Sequence, residues 1–335
     1  MALPGAPAMA QPPAAAVAQP PASAWPPPGG PALLPPATPR QGPARPPYIL
    51  TTTAMLADAV RAVAGSGPRV ESLMGEGVDP HLFRPTRADT AKLLAADLVV
   101  LNGHRLEGRM EEVMARLAAA GRRVLSMTDA LPRDALRIAP EFHDAADPHV
   151  WMDPLLWAQA AETLPGTLAP LLPREPLAAN LAAYQARLRR LHDYAVASLA
   201  PIPAPRRVLV TAHDAFGYFA RRHNLTVDSI QGLSTEAEAT LIRIEAIVTL
   251  LVERRIPAVF AETSVPDRAV RALIEGAAAR SHTVRLGGNL YSDSMGPTGS
   301  YEGTLEGMLD HNITTIARAL GGAAPATGMN GRLRA

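Results

Sequence analysis

The chain has 335 residues, 32 of them basic and 31 acidic, and its net charge of +1 argues against a nucleic-acid binder or a polybasic membrane contact. It contains no cysteine, so no disulfide, thiolate metal site, thiol nucleophile or lipidated N-terminal cysteine is expected. With 47% hydrophobic residues it can bury a sizeable core, yet no run of about 18 apolar residues suggests a transmembrane helix.

Residues 1–47 hold 16 of the 34 prolines, mixed with alanine and glycine, and read as a disordered Pro-rich tail. The first basic residue is Arg40 and prolines interrupt every apolar run, so no secretory signal is read there. From Tyr48 onward, short β-branched runs alternate with stretches of helical period. Strands are expected at 48–53, 69–75, 97–103 and 122–128, and helices at 54–64, 86–96 and 107–120, giving an N-terminal α/β lobe over 48–173. Residues 174–200 have no glycine, one proline in the first turn and apolar residues at helical spacing, which predicts a linking helix of roughly 40 Å. A second series follows, with strands at 206–212, 226–232, 258–263 and 282–288 and helices at 235–255, 266–280 and 300–320. It forms a C-terminal α/β lobe over 201–322, and 323–335 reads as a flexible tail. Alternating β and α with apolar strands implies parallel sheets covered on both faces. The fold class is therefore α/β, with two lobes joined by one long rigid helix. Thr86 with Asp89 and Thr235 with Glu238 resemble capping boxes at helix starts.

The tripeptide Asp-Pro-His occurs twice, at 79–81 and 147–149. Proline stiffens the backbone, so each histidine is expected on a rigid, extended piece outside a helix. His213 follows an apolar strand, and Asp293 lies in a Gly/Ser-flanked loop after another. Ligands bind at the carboxyl ends of strands in α/β sheets. Taken singly, each residue has an ordinary reading as a loop histidine or a turn aspartate. Together, three imidazoles and a carboxylate could close a tetrahedron around a divalent metal. Four protein ligands with no open position suit binding more than hydrolysis. His104, after Asn-Gly, reads as a loop residue, and His143 as a solvated loop residue or an accessory donor. No Walker loop, dinucleotide fingerprint, HExxH or GxSxG motif is present.

The segments "GEGVDPHLFRPTRADTAKLLAADLVVLNGHRLEG", "DPHVWMDP", "TAHDAFGYFARRHNLTVDSIQGLSTEAE" and "NLYSDSMGPTGSYEGTLEGMLDHNI" occur in the order and at the spacing of a known family. Over residues 48–320 the chain resembles the metal-binding solute receptors of zinc and manganese ABC importers, the cluster that includes the ZnuA, TroA and PsaA groups. The resemblance implies two (β/α)4-type lobes, a cleft site whose ligands match His81, His149, His213 and Asp293, and no enzymatic activity. It implies a monomer in the periplasm that delivers its ion to an ABC permease. A histidine at position 213, where some manganese-selective members have glutamate, leans towards Zn2+ and leaves Mn2+ open. The loop before the second Asp-Pro-His is short, so no large zinc-gathering loop is expected. Asp79, Asp147 and, more weakly, Glu262 are candidates to orient the ligands. The alternatives from other classes are a zinc-dependent hydrolase, which needs an open coordination site and a carboxylate base, and an adhesin in which the metal is a structural staple.

Overall fold

The computed structural model describes residues 45–139 and 145–334. The Pro-rich segment therefore lies outside the described residues up to position 44, as does His143. In the first lobe, strands β1 (Tyr48–Thr51), β2 (Arg69–Ser72), β3 (Leu98–Leu101) and β4 (Val124–Ser126) form a parallel sheet in the order β2-β1-β3-β4. The central strands β1 and β3 are buried along their whole length, as their apolar sequences require. Helices α1 (Ala54–Ala64), α2 (Arg87–Ala95) and α3 (Glu111–Ala119) complete the crossovers. The Thr86–Asp89 capping box is present at the start of α2, each side chain accepting from the other's backbone N–H.

A short antiparallel pair, β5 (Ile138–Ala139) with β6 (Ala145–Ala146), then leads through the second Asp-Pro-His into α4 (Pro154–Ala160) and α5 (Leu164–Leu168). These two helices have no counterpart among the expected elements, although Asp153 capping α4 with Pro154 in its first turn is a readable start signal. Helix α6 (Glu175–Leu199) is the linking helix. Its inward residues Leu177, Tyr184, Leu188, Leu191, Ala195 and Leu199 join one apolar core with Ile49 and Leu98 of the first lobe and Phe260 and Ile313 of the second.

In the second lobe β7 (Val208–Thr211) pairs in parallel with β8 (Thr226–Ser229), and β9 (Ala258–Glu262) with β10 (Arg285–Leu290). β7 lies beside β9, so the strands run β8-β7-β9-β10 across the lobe. Helices α7 (Gly217–His223), α8 (Leu241–Glu253), α9 (Arg268–Ala279) and α10 (Leu305–Leu320) surround them, α7 being a further unexpected helix.

Three expectations are corrected. Helix α8 begins at Leu241 rather than 235, because Thr240 is its cap and accepts from the Arg243 N–H. Thr235 is thus not a capping residue. α10 begins at Leu305 rather than 300, capped by Thr304. The stretch from 323, expected as a flexible tail, is pinned instead. The Met329 N–H donates to Asp310 Oδ1 at 2.8 Å, the Ala323 N–H to the Ser198 carbonyl at 2.9 Å, and Leu333 is buried.

Candidate metal centre

All four candidate ligands stand on loops after strands, on the side of each lobe that faces the other. His81 follows β2, His149 follows β6, His213 comes two residues after β7, and Asp293 three after β10. Their donor atoms all lie within 4.8 Å of one another, and all four side chains are buried. Asp293 is the centre of the cluster. Its Oδ2 is 3.2 Å from His213 Nε2 and 3.5 Å from His81 Nε2, and its Oδ1 is 3.4 Å from His149 Nε2. The His81 and His149 Nε2 atoms are 3.3 Å apart. Among the described residues, neither carboxylate oxygen of Asp293 has a hydrogen-bond partner, and neither does His213 Nε2. Buried polar atoms without partners are costly, and a bound cation would satisfy these. The donor set, three imidazole nitrogens and a carboxylate, suits a divalent transition metal.

The reason for the repeated Asp-Pro-His lies in the aspartate. Asp79 Oδ1 accepts the His81 N–H at 2.9 Å, and Asp147 Oδ1 accepts the His149 N–H at 2.9 Å. Each tripeptide is an Asx turn that sets its histidine. The expectation of extended histidine backbone is corrected accordingly: His149 has φ −81° and ψ 46°, because proline restricts the aspartate before it and leaves the histidine after it free to turn. Asp147 also holds the ring, with Oδ1 2.7 Å from His149 Nδ1. Asp79 does not hold the His81 ring; its Oδ2 accepts instead from the Thr235 hydroxyl of the second lobe at 2.5 Å.

In the second lobe, the adjacency of β7 and β9 brings Glu262 against His213. Its Oε1 accepts the His213 N–H at 2.8 Å, and its Oε2 lies 2.5 Å from His213 Nδ1. With Nδ1 engaged at His149 and His213, Nε2 is the atom each turns to the centre. Two contacts across the cleft fix the Asp293 loop: the Trp151 indole N–H donates to the Ser292 carbonyl at 2.9 Å, and the Gly77 N–H to Ser294 Oγ at 3.2 Å. His104 remains a turn residue at φ +51°, its Nδ1 3.6 Å from Asp129.

The three imidazoles differ in how their surroundings shift them when no ion is bound. Burial pushes His81 down to about 3. Burial acts in the same direction on His149, but the Asp147 and Asp293 carboxylates outweigh it and lift the ring to about 9. His213 is raised well above the ordinary histidine value, burial being overcome by Glu262 and then Asp293. Asp293 is held well below the usual carboxylate range despite its burial, chiefly by His213.

A family model described as the periplasmic component A of a zinc-uptake complex, ZnuA, matches residues 49–319. The chain belongs to the ZnuA family. As a ZnuA-family chain it is the metal-binding solute receptor of an ABC importer and not an enzyme, so the hydrolase alternative is set aside. It is 40% identical over 274 residues to the manganese-binding lipoprotein MntA of Bacillus subtilis, covering 81% of this chain and 89% of that one. It is 41% identical over 276 residues to the zinc-binding protein TroA of Treponema pallidum, covering 82% and 89%. The solved structure of periplasmic zinc-binding TroA superposes with a TM-score of 0.79 at 40% identity, over 82% of this chain and 99% of that one. The two lobes with parallel sheets and a long connecting helix are thus this family's architecture.

The residues that sequence reasoning missed lie around the ligands. Thr235 was explained as a helix cap but touches Asp79. Asp214, next to His213, and Arg137 were not singled out. Asp214 had a readable signal in its adjacency to a candidate ligand, whereas Arg137 had none.

Proposed function

We propose that this receptor captures Zn2+ between its lobes through the Nε2 atoms of His81, His149 and His213 and the carboxylate of Asp293. The observation that carries the reading is the spacing of those donors. A tetrahedral zinc with bonds of about 2.0–2.1 Å has donors roughly 3.3–3.4 Å apart. Four separations at the centre run from 3.2 to 3.5 Å, those to Asp293 shared between its two oxygens, and the donor set as a whole lies within 4.8 Å. His81 and His149 come from the first lobe, His213 and Asp293 from the second, so the ion itself bridges the cleft. Loaded receptor then docks, as a monomer, on its membrane permease and releases the ion. The periplasm is the compartment that fits this role, in keeping with the name of the matching family model.

Manganese is the second reading, favoured by the name of the Bacillus relative. Mn2+ prefers more oxygen donors and octahedral geometry, which a nitrogen-rich four-donor cluster does not supply. The deciding experiment equilibrates the metal-free protein with equal Zn2+ and Mn2+, removes free ions and analyses the bound metal. One zinc per chain, at more than about tenfold excess over manganese, is expected. Retained manganese overturns the choice of metal, and no retained metal overturns the site.

A further inference from the structure

We infer that Arg137 is a positioning residue that ties retention of the ion to the contact between the two lobes at the cleft. The inference rests on the metal assignment above. Arg137 lies in the first lobe just before β5, and its guanidinium forks between two carboxylates. Nη1 donates to Asp147 Oδ2 at 2.7 Å, and Nη2 donates to Asp214 Oδ2 at 2.7 Å. Asp147 is the residue whose other oxygen holds the ring and backbone of His149. Asp214 is the chain neighbour of His213. One planar cation therefore joins the support of a first-lobe ligand to the neighbour of a second-lobe ligand.

The surroundings fix this arrangement. The Asp147 N–H donates to the Arg137 carbonyl at 2.8 Å. The Tyr218 hydroxyl, from the second lobe, accepts the Arg137 N–H at 3.1 Å and donates to the Asp147 carbonyl at 2.8 Å. Gly217 lies so close to the guanidinium that a Cβ there would overlap it. Asp214 is buried, and among the described residues its Oδ1 has no hydrogen-bond partner. Among them, the guanidinium of the opposite lobe is the counter-charge hydrogen-bonded to its carboxylate. Loosening this contact at the cleft strands that charge, and it also removes the group that keeps Asp147 turned towards His149. Other cross-cleft ion pairs lack this link. Arg109–Glu236, at 2.7 Å, is largely exposed, and Arg222–Asp153, at 2.7 Å, ends on the cap of α4.

The test is release of Zn2+ from the loaded full chain into a chromophoric chelator, followed by stopped flow. Arg137→Met should speed release about 10–100-fold, the range for losing support of a metal ligand, with a smaller change in uptake rate. Asp214→Asn should speed it similarly, and it carries the test if Arg137→Met does not fold. The double variant should be no faster than either single one, because both changes break one bridge. Arg137→Lys should recover only part of the retention, since an ammonium cannot fork. The NMR signal of the His149 Nδ1–H, sharp in the loaded parent, should broaden or move in Arg137→Met. Arg222→Met is the control for simple adhesion between lobes. Unchanged release in Arg137→Met and Asp214→Asn, additive effects, or equal acceleration by Arg222→Met overturns the inference. A parent protein that takes up no zinc overturns the metal assignment itself, and is seen before any variant is made.

Discussion

The two lobes solve one problem in different ways. Each must hold a histidine so that Nε2 faces the cleft, and each uses a carboxylate that grips both the backbone N–H and the ring Nδ1. In the first lobe that carboxylate is Asp147, two residues before His149. In the second it is Glu262, 49 residues after His213 and delivered by the neighbouring strand. The same grip arises from a local turn on one side and from sheet topology on the other. The reach explains the residue types: the short aspartate suits an Asx turn, and the longer glutamate spans between strands. His81 is the contrasting case within the first lobe, since Asp79 sets its backbone but spends its other oxygen on Thr235.

This comparison can be broken by experiment, and the largest effect comes from a ligand. His213→Ala should weaken zinc binding by about a hundredfold or more in competition against a chelator, given the free energy of about 10–16 kcal/mol shared among four ligands of a zinc site. Binding like the parent would remove His213 from the ligand set. The next effect is pH. In the ion-free protein the neighbouring carboxylates lift His149 to about 9 and raise His213 well above the ordinary histidine value, whereas burial pushes His81 down to about 3. Metal needs neutral imidazoles, so affinity should fall as pH drops below the His149 value. Binding at pH 7 should release at least the His149 proton, with about tenfold in affinity per pH unit for each proton released. Titration calorimetry in buffers of different ionisation enthalpy counts those protons, and a count near zero contradicts the assignment. Smaller again, Asp147→Asn and Glu262→Gln should each weaken binding about 10–100-fold and to a similar degree. A large cost for one and none for the other would show that the two grips are not equivalent. Asp79→Asn, which leaves the ring of His81 alone, should cost less than about tenfold by the same measurement.

What was legible in the sequence follows the same division. Strand positions were readable because buried parallel strands are short apolar runs, and β1, β3, β7 and β9 lie inside the expected ranges. The four candidate ligands were readable because each follows a strand or an Asp-Pro, and the structure brings them together. Supports that act over two residues, Asp79 and Asp147, were visible as a repeated tripeptide. Glu262 was visible only faintly, because its role depends on β7 lying beside β9. Arg137 and the true partner of Thr235 were not visible, since both depend on how one lobe meets the other. The helix starts at 235 and 300 were set too early for a related reason. Polar segments with good local cap signals were instead drawn into contacts across the cleft or into loops, and Thr240 and Thr304 took over as caps.

Helix α6 shares one continuous apolar core with both lobes along its inward face. A jaw-like swing would have to tear that core along the helix, whereas tilting a few loops at the cleft would not. Movement on binding should therefore fall on the loops that line the cleft. A transporter that tells cargo from no cargo would then read the texture of that rim.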